Sequence, residues 1–103
     1  MIQKPFTAQS LREVLQWGLT PDSAPHTHRE IAEWCFRFCQ VHEEEFERSG
    51  AWASALRVAD DVDAQWELFL VNTYSNAELQ RLDFSAVRLP VEWFAAWLSR
   101  LER

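Results

Sequence analysis

The sequence of 103 residues contains only two glycines, two cysteines and a single lysine. With glycine at positions 18 and 50 alone, it has no Gly-rich loop that could cradle a phosphate or a dinucleotide. Nine of the ten basic residues are arginines, and they are spread singly, so no basic stripe follows the chain as in proteins that track a nucleic-acid backbone. No uncharged apolar run approaches the roughly 18 to 20 residues that span a bilayer. We therefore expect neither direct nucleic-acid binding nor membrane insertion.

The N-terminal stretch lacks the basic start, apolar segment and small-residue cleavage site of a secretory signal. Cys35 and Cys39 lie four residues apart on one predicted helix, which is a poor geometry for a mutual disulfide. We expect a cytoplasmic protein in which both cysteines remain thiols.

The length fits one domain over residues 1–103. Three hydroxyl residues each precede a glutamate by three positions, a spacing typical of the capping box that begins a helix: Ser10 with Glu13, Thr27 with Glu30, and Ser75 with Glu78. Pro90 suits the first position of a last helix. The sequence predicts an all-α domain of four to five short helices.

The clearest periodicity predicts a helix over residues 28–48, closed by Ser49-Gly50. One face is apolar and carries both cysteines and His42, whereas the opposite face is charged. Packing of Cys35, Cys39 and His42 in the core is the simpler interpretation, and we expect no metal and no cofactor. The alternative is a small metal-binding protein in which these three residues, with a ligand from elsewhere, hold zinc.

Residues 51–74 are apolar nearly all round and have two interpretations. One is a pair of helices, the second capped by Asp60 or Asp61. The other is a small hairpin in residues 54–72, which would make the fold α+β. Because no glycine or Asn-Gly marks a tight turn in this stretch, we favour helices.

Residues 42–67 carry the whole net charge of −6, since the remaining acids and bases balance. This acidic window is the predicted binding surface for a basic protein. Its candidate partner-binding residues are Glu43, Glu44, Glu45, Glu47, Asp60, Asp61 and Asp63. The alternative is that the acids form a solvated turn that confers solubility only.

Six tryptophans are many for a core of this size. Trp34, Trp66 and Trp97 are central to their apolar stripes, whereas Trp17, Trp52 and Trp93 are peripheral. We expect at least one of the peripheral three to be exposed. Exposed aromatics would suit a regulatory or assembly subunit, or self-association.

No histidine, serine or cysteine stands in a local pattern typical of catalysis, so we expect that the protein is not an enzyme. In composition, and in no motif, the chain is similar to bacterial inhibitor and immunity proteins that neutralise basic nucleases or other effectors. Together these observations predict a small acidic protein-binding domain.

Overall fold

The computed structural model describes residues 1–43 and 51–102, and of residues 51 and 52 only the backbone. Five α-helices and one short 3-10 helix (Phe84–Ala86) make up the secondary structure of this part of the chain. The α-helices are α1 (Ala8–Trp17), α2 (His28–Val41), α3 (Ala51–Thr73), α4 (Asn76–Arg81) and α5 (Val91–Leu101). The predicted all-α fold is confirmed.

Two of the three predicted capping boxes are present. The Thr27 hydroxyl accepts from the backbone N–H of Glu30 at 3.2 Å, and the Glu30 carboxylate accepts from the N–H of Thr27 at 3.1 Å. Ser75 and Glu78 make the same reciprocal pair at the start of α4.

The box predicted at Ser10 is wrong, because α1 begins earlier. Thr7 is its cap and accepts from the N–H of Ser10 at 3.1 Å, so Ser10 lies buried in the first turn. Glu13 pairs instead with the Lys4 ammonium at 2.5 Å. Pro90 precedes α5 as its N-cap rather than opening the helix.

Helix α2 ends at Val41, earlier than the predicted residue 48. His42 is its C-cap, and its N–H donates to the Phe38 carbonyl at 3.1 Å. The predicted closure at Ser49-Gly50 lies outside the described residues. The apolar face is confirmed, since Ile31, Trp34, Cys35 and Phe38 are buried.

Residues 51–73 form one continuous helix, so both the hairpin in residues 54–72 and a helix start at Asp60 or Asp61 are wrong. The buried side chains of α3 cover a wide arc: Ala55, Leu56, Val58, Ala59, Val62 and Trp66. The arc is wide because α2 packs on one side of α3 and α5 on another, with α1 also in contact. The nearly all-round apolar pattern therefore belongs to the central helix of the fold.

Helices α2 and α3 run antiparallel. The Cys39 sulfur near the end of α2 lies 4.0 Å from the Leu56 carbonyl oxygen near the start of α3. At the other end, Arg29 of α2 and Leu70 of α3 line one groove. A groove lies between these two antiparallel helices.

His28 joins the end of α1, the start of α2 and the segment before α5. Its side chain is 2% exposed, and its Nδ1 accepts from the N–H of Leu89 at 2.8 Å. Because an N–H can only donate, the proton of the neutral ring is on Nε2, which donates to the Gly18 carbonyl at 3.1 Å. His28 is the first residue of the helix predicted from residue 28, and the structure shows that its side chain is a buried hydrogen-bonding centre.

Gly18 is required at this junction by the close approach of α5. A Cβ atom at residue 18 would overlap the ring of Phe94, which also packs on the His28 ring with centroids 4.4 Å apart. The missing side chain lets α1 and α5 come together above the imidazole.

The buried imidazole should make the protein less stable in mild acid. Burial lowers the pKa of His28 below its usual 6.5, an effect that the hydrogen bond to Gly18 opposes and the nearby Arg88 adds to. The unfolded chain then binds a proton at His28 more readily than the folded chain does. The contribution of neutral His28 to stability is therefore present above about pH 6.5 and is lost as the pH falls below it. Urea unfolding at pH 7.5, 6.5 and 5.5 should show a falling free energy of unfolding.

The control for this prediction is His28→Gln, which removes the titrating group. Glu30, whose pKa is lowered to about 2 chiefly by a hydrogen bond from the Met1 amino group, titrates below this range. If wild type and His28→Gln lose the same stability between pH 7.5 and 5.5, the assignment to His28 is wrong.

Candidate groove between α2 and α3

The acidic residues predicted to bind a partner do not form one patch. Glu43 is exposed just after α2, whereas Glu44, Glu45 and Glu47 lie outside the described residues. Asp60, Asp61 and Asp63 lie inside α3 rather than on a turn. At about 100° per residue, neighbouring positions on a helix point to different sides, so these three aspartates do not share one surface.

Asp61 faces α5 and has a structural role. One of its carboxylate oxygens accepts from the Trp97 indole N–H at 2.8 Å and from the Arg100 guanidinium at 2.9 Å. The Asp61 side chain is only about a third exposed, at 34%. Asp61 thus ties α3 to α5 and is not available as a free surface charge.

Asp60 and Asp63 lie on the side of α3 that faces α2, together with Glu67. The spacings of three and four residues place these carboxylates in one row along the helix, and this acidic row is defined as Asp60, Asp63 and Glu67. Within residues 1–43 and 51–102, no cationic group lies within ion-pair distance of any of the three. The row is therefore a line of like charges without a counter-ion from the described chain.

The electrostatic effect of this row is visible at Asp63 and Cys39. Partial burial raises the pKa of Asp63, and the negative charges of Glu67 and Asp60 raise it further. Burial, followed by the charges of Asp60 and Asp63, raises the pKa of Cys39 to about 12. The row makes its surroundings unfavourable for any further negative charge.

An open groove of about 640 Å³ lies between α2 and α3, with Asp63 and Glu67 of the acidic row along one side. Its floor is apolar and consists of Ala32, Phe36, Trp66, Leu70 and Phe84. Asp63 and Glu67 form the α3 wall, and Arg29, Glu33, Arg37 and Gln40 form the α2 wall. The groove thus combines exposed apolar area with charged edges.

The two walls differ in charge. On α2, Arg29 is neutralised by Glu33 at 3.0 Å, and its guanidinium lies 5.6 Å from the centre of the Phe84 ring. Arg37 remains as the cation of that wall, and its Nη1 lies 3.7 Å from the Met1 sulfur. The α2 wall is therefore weakly positive and the α3 wall negative.

Phe36 is the groove residue that the sequence analysis missed. Its side chain is 48% exposed and lies among the charged positions of α2, next to Arg37 and one turn from Glu33 and Gln40. A large apolar residue on the polar face of an amphipathic helix is the signal that could have identified it. Glu67 belonged to the acidic window but was not singled out.

Two of the three peripheral tryptophans, Trp17 and Trp93, are partly buried, and the predicted exposure stays a prediction for Trp52. Trp17 is partly buried, and its ring contacts His26, with centroids 4.9 Å apart, and the Lys4 ammonium. Trp93 is partly buried against Phe69 and Trp97. The side chain of Trp52 lies outside the described residues. As predicted, Trp34, Trp66 and Trp97 are buried.

Of the three residues considered for a metal site, Cys35 is buried in the core, whereas Cys39 and His42 are partly buried. Cys35 is fully buried, which raises the pKa of its thiol, and both cysteines are free. The Nε2 of His42 lies 2.6 Å from the Phe6 carbonyl oxygen. No group of three or more His, Cys, Asp or Glu side chains in the described part of the chain is arranged to hold a metal ion.

No protein-family model, curated protein or solved structure matches this chain. None of the helices in the described ranges is both long enough and apolar enough to cross a membrane. The groove must therefore be interpreted from its own geometry.

Asp60 and Asp61 offer a matched pair of substitutions, because both are aspartates inside α3. Asp61→Ala removes the acceptor of Trp97 and Arg100 and should lower the free energy of unfolding, relative to Asp60→Ala, by roughly 1–3 kcal/mol. Alanine has a higher helix propensity than aspartate, and this stabilises both variants alike, so it cancels when their free energies of unfolding are compared. Urea unfolding followed by circular dichroism measures the difference, and equal stabilities would contradict the structural role of Asp61.

Proposed function

We propose that this protein is a small, non-catalytic binding protein of the cytoplasm whose partner is a basic protein. The binding surface is the α2–α3 groove with its acidic row. The proposed surface is smaller than the predicted acidic window of residues 42–67, since Asp61 is engaged with α5, Asp63 and Glu67 line the groove, and Asp60 lies one turn before Asp63 on α3.

The observation that carries the proposal is an acidic row with no ion-pair partner among the described residues, beside an apolar floor on which Phe36 is exposed. Like charges three and four residues apart on a helix repel one another and cost a few tenths of a kcal/mol per pair. A floor that leaves Phe36 48% exposed is likewise unfavourable in water. A basic partner with an apolar contact surface relieves both costs on binding.

The charge distribution also favours this class of partner over others. A net charge of −6 repels nucleic acid and acidic membrane surfaces, whereas it attracts a basic protein and speeds the encounter. An inhibitor or immunity-type protein for a basic effector has this electrostatic character. So does a regulatory or assembly subunit, for which Phe36 is the exposed aromatic anchor among the described side chains.

Two variants of equal charge test the proposal. Asp63→Asn with Glu67→Gln neutralises the α3 wall, whereas Glu92→Gln with Glu102→Gln removes two exposed acids outside the groove. Each immobilised protein is used to capture proteins from a lysate of the source cells. We expect wild type and the Glu92/Glu102 variant to retain the same basic protein, and the Asp63/Glu67 variant to lose most of it.

Comparing the two double variants distinguishes binding at a specific surface from attraction by net charge alone. Higher salt should weaken capture by wild type, because the contacts are partly exposed charges screened over about 8–10 Å. Identical capture by all three proteins would show that the α3 wall takes no part in binding, and the proposed function would be wrong.

A further inference from the structure

The α2–α3 groove favours an occupant with two properties: an apolar surface that matches the floor and charges that complement the walls. The floor side chains are apolar or aromatic over its whole length, and the α3 wall is negative while the α2 wall is weakly positive. We propose that the occupant is an amphipathic helix of the basic partner, docked with its apolar stripe on the floor and a basic flank against α3. This inference rests on the proposed function and specifies the partner's binding segment.

A helical occupant follows from the lack of hydrogen-bonding groups on the floor. An extended segment lying on Ala32, Phe36 and Trp66 would bury backbone N–H and C=O groups without partners, which costs about 1–3 kcal/mol for each group. Helices α2 and α3 have no free backbone edge to pair with it, because their N–H and C=O groups bond within each helix. A helix satisfies its own backbone, so it can lie on an apolar floor.

The dimensions of the groove suit a short helix. The α2 wall runs from Arg29 to Gln40. At 1.5 Å per residue this is about 17 Å, or roughly three turns of a guest helix of about 12 residues. An isolated helix of that length is marginal in water, so the segment should gain helicity on binding.

The charges specify how the guest is oriented. Asp60, Asp63 and Glu67 follow one another at spacings of three and four residues over about 10 Å of α3. Lysine or arginine at the same spacings on a parallel or antiparallel guest helix faces them. Arg37 on the opposite wall disfavours a second basic flank, so the other edge of the guest is neutral or acidic. The position of the basic flank relative to the apolar stripe therefore sets the direction of the guest helix.

Synthetic peptides of about 12 residues test this inference on the full-length protein. The first peptide carries a leucine stripe with lysines along one flank. The second has glutamates in place of the lysines, and the third has serines in place of the leucines. Binding is followed by amide and indole N–H resonances of the ¹⁵N-labelled protein and by the helical circular dichroism of the mixture.

We expect the lysine peptide to shift resonances of Phe36, Trp66, Leu70 and Phe84 and to gain helicity. The glutamate and serine peptides should bind at least about tenfold more weakly. The double substitution Asp63→Asn, Glu67→Gln should lower the affinity for the lysine peptide about three- to tenfold, as expected for the loss of two partly exposed charge contacts. The double substitution Glu92→Gln, Glu102→Gln should leave that affinity unchanged.

Four results would overturn the inference. The lysine and glutamate peptides could bind equally, the shifts could lie outside the groove, or the bound peptide could show no gain in helix. A fourth would be a wild-type dimer in sedimentation that Phe36→Ser dissociates, since the groove occupant would then be a second copy of this chain.

The peptides also separate this inference from the proposed function. If the partner is captured through Asp63 and Glu67 but the lysine peptide neither binds nor displaces it, the helical occupant is wrong and the function stands. If the lysine peptide binds the groove while capture of the partner is independent of Asp63 and Glu67, the proposed function is wrong.

Discussion

The mismatch in length between α3 and the helices around it determines the rest of the structure. Helix α3 has 23 residues, whereas α2 has 14 and α5 has 11. Among the α3 side chains that the structure describes, the buried ones extend from Ala55 to Trp66, and between residues 67 and 86 none is buried. This stretch nevertheless contains Leu68, Leu70, Val71 and Phe84, so the overhanging end of α3 leaves apolar surface in contact with water. The α2–α3 groove is the concave part of that surface.

The junction at His28 holds the helices in the arrangement that opens the groove. It fixes the start of α2 against the end of α1 and the segment before α5 through two buried hydrogen bonds. Asp61 fixes α3 to α5 from the other side. Both contacts are made away from the groove, so they do not occupy Phe36, Asp63 or Glu67, which line it.

Local signals in the sequence predicted local structure well. Thr27 and Ser75 mark helix starts because each hydroxyl, with the glutamate three residues later, accepts hydrogen bonds from free N–H groups. This interaction is local and does not depend on how the helix packs. The error at Ser10 has the same origin, since Thr7 also reaches a free N–H and lies closer to the true start. The acidic window could not be resolved from sequence, because the sides of α3 on which Asp60 and Asp61 lie depend on where α2 and α5 pack. The position of Phe36 on the polar face of α2 could be read from the sequence, but the groove around it could not, because that groove depends on how α3 packs against α2.

The central claim is that no cation among the described residues compensates the acidic row, and its most direct test is the free energy of unfolding of the Asp63→Asn, Glu67→Gln variant. Removing the repulsion between Asp60, Asp63 and Glu67 should stabilise the protein by about 0.4–1 kcal/mol, from two like-charge pairs at helical spacing. Glu92→Gln with Glu102→Gln should give little net change, because a negative charge is favourable at Glu92 in the first turn of α5 and unfavourable at Glu102, its C-cap, so the two effects oppose each other. A groove variant that is less stable than wild type would mean that Asp63 and Glu67 contribute to holding the fold together, and would contradict the account.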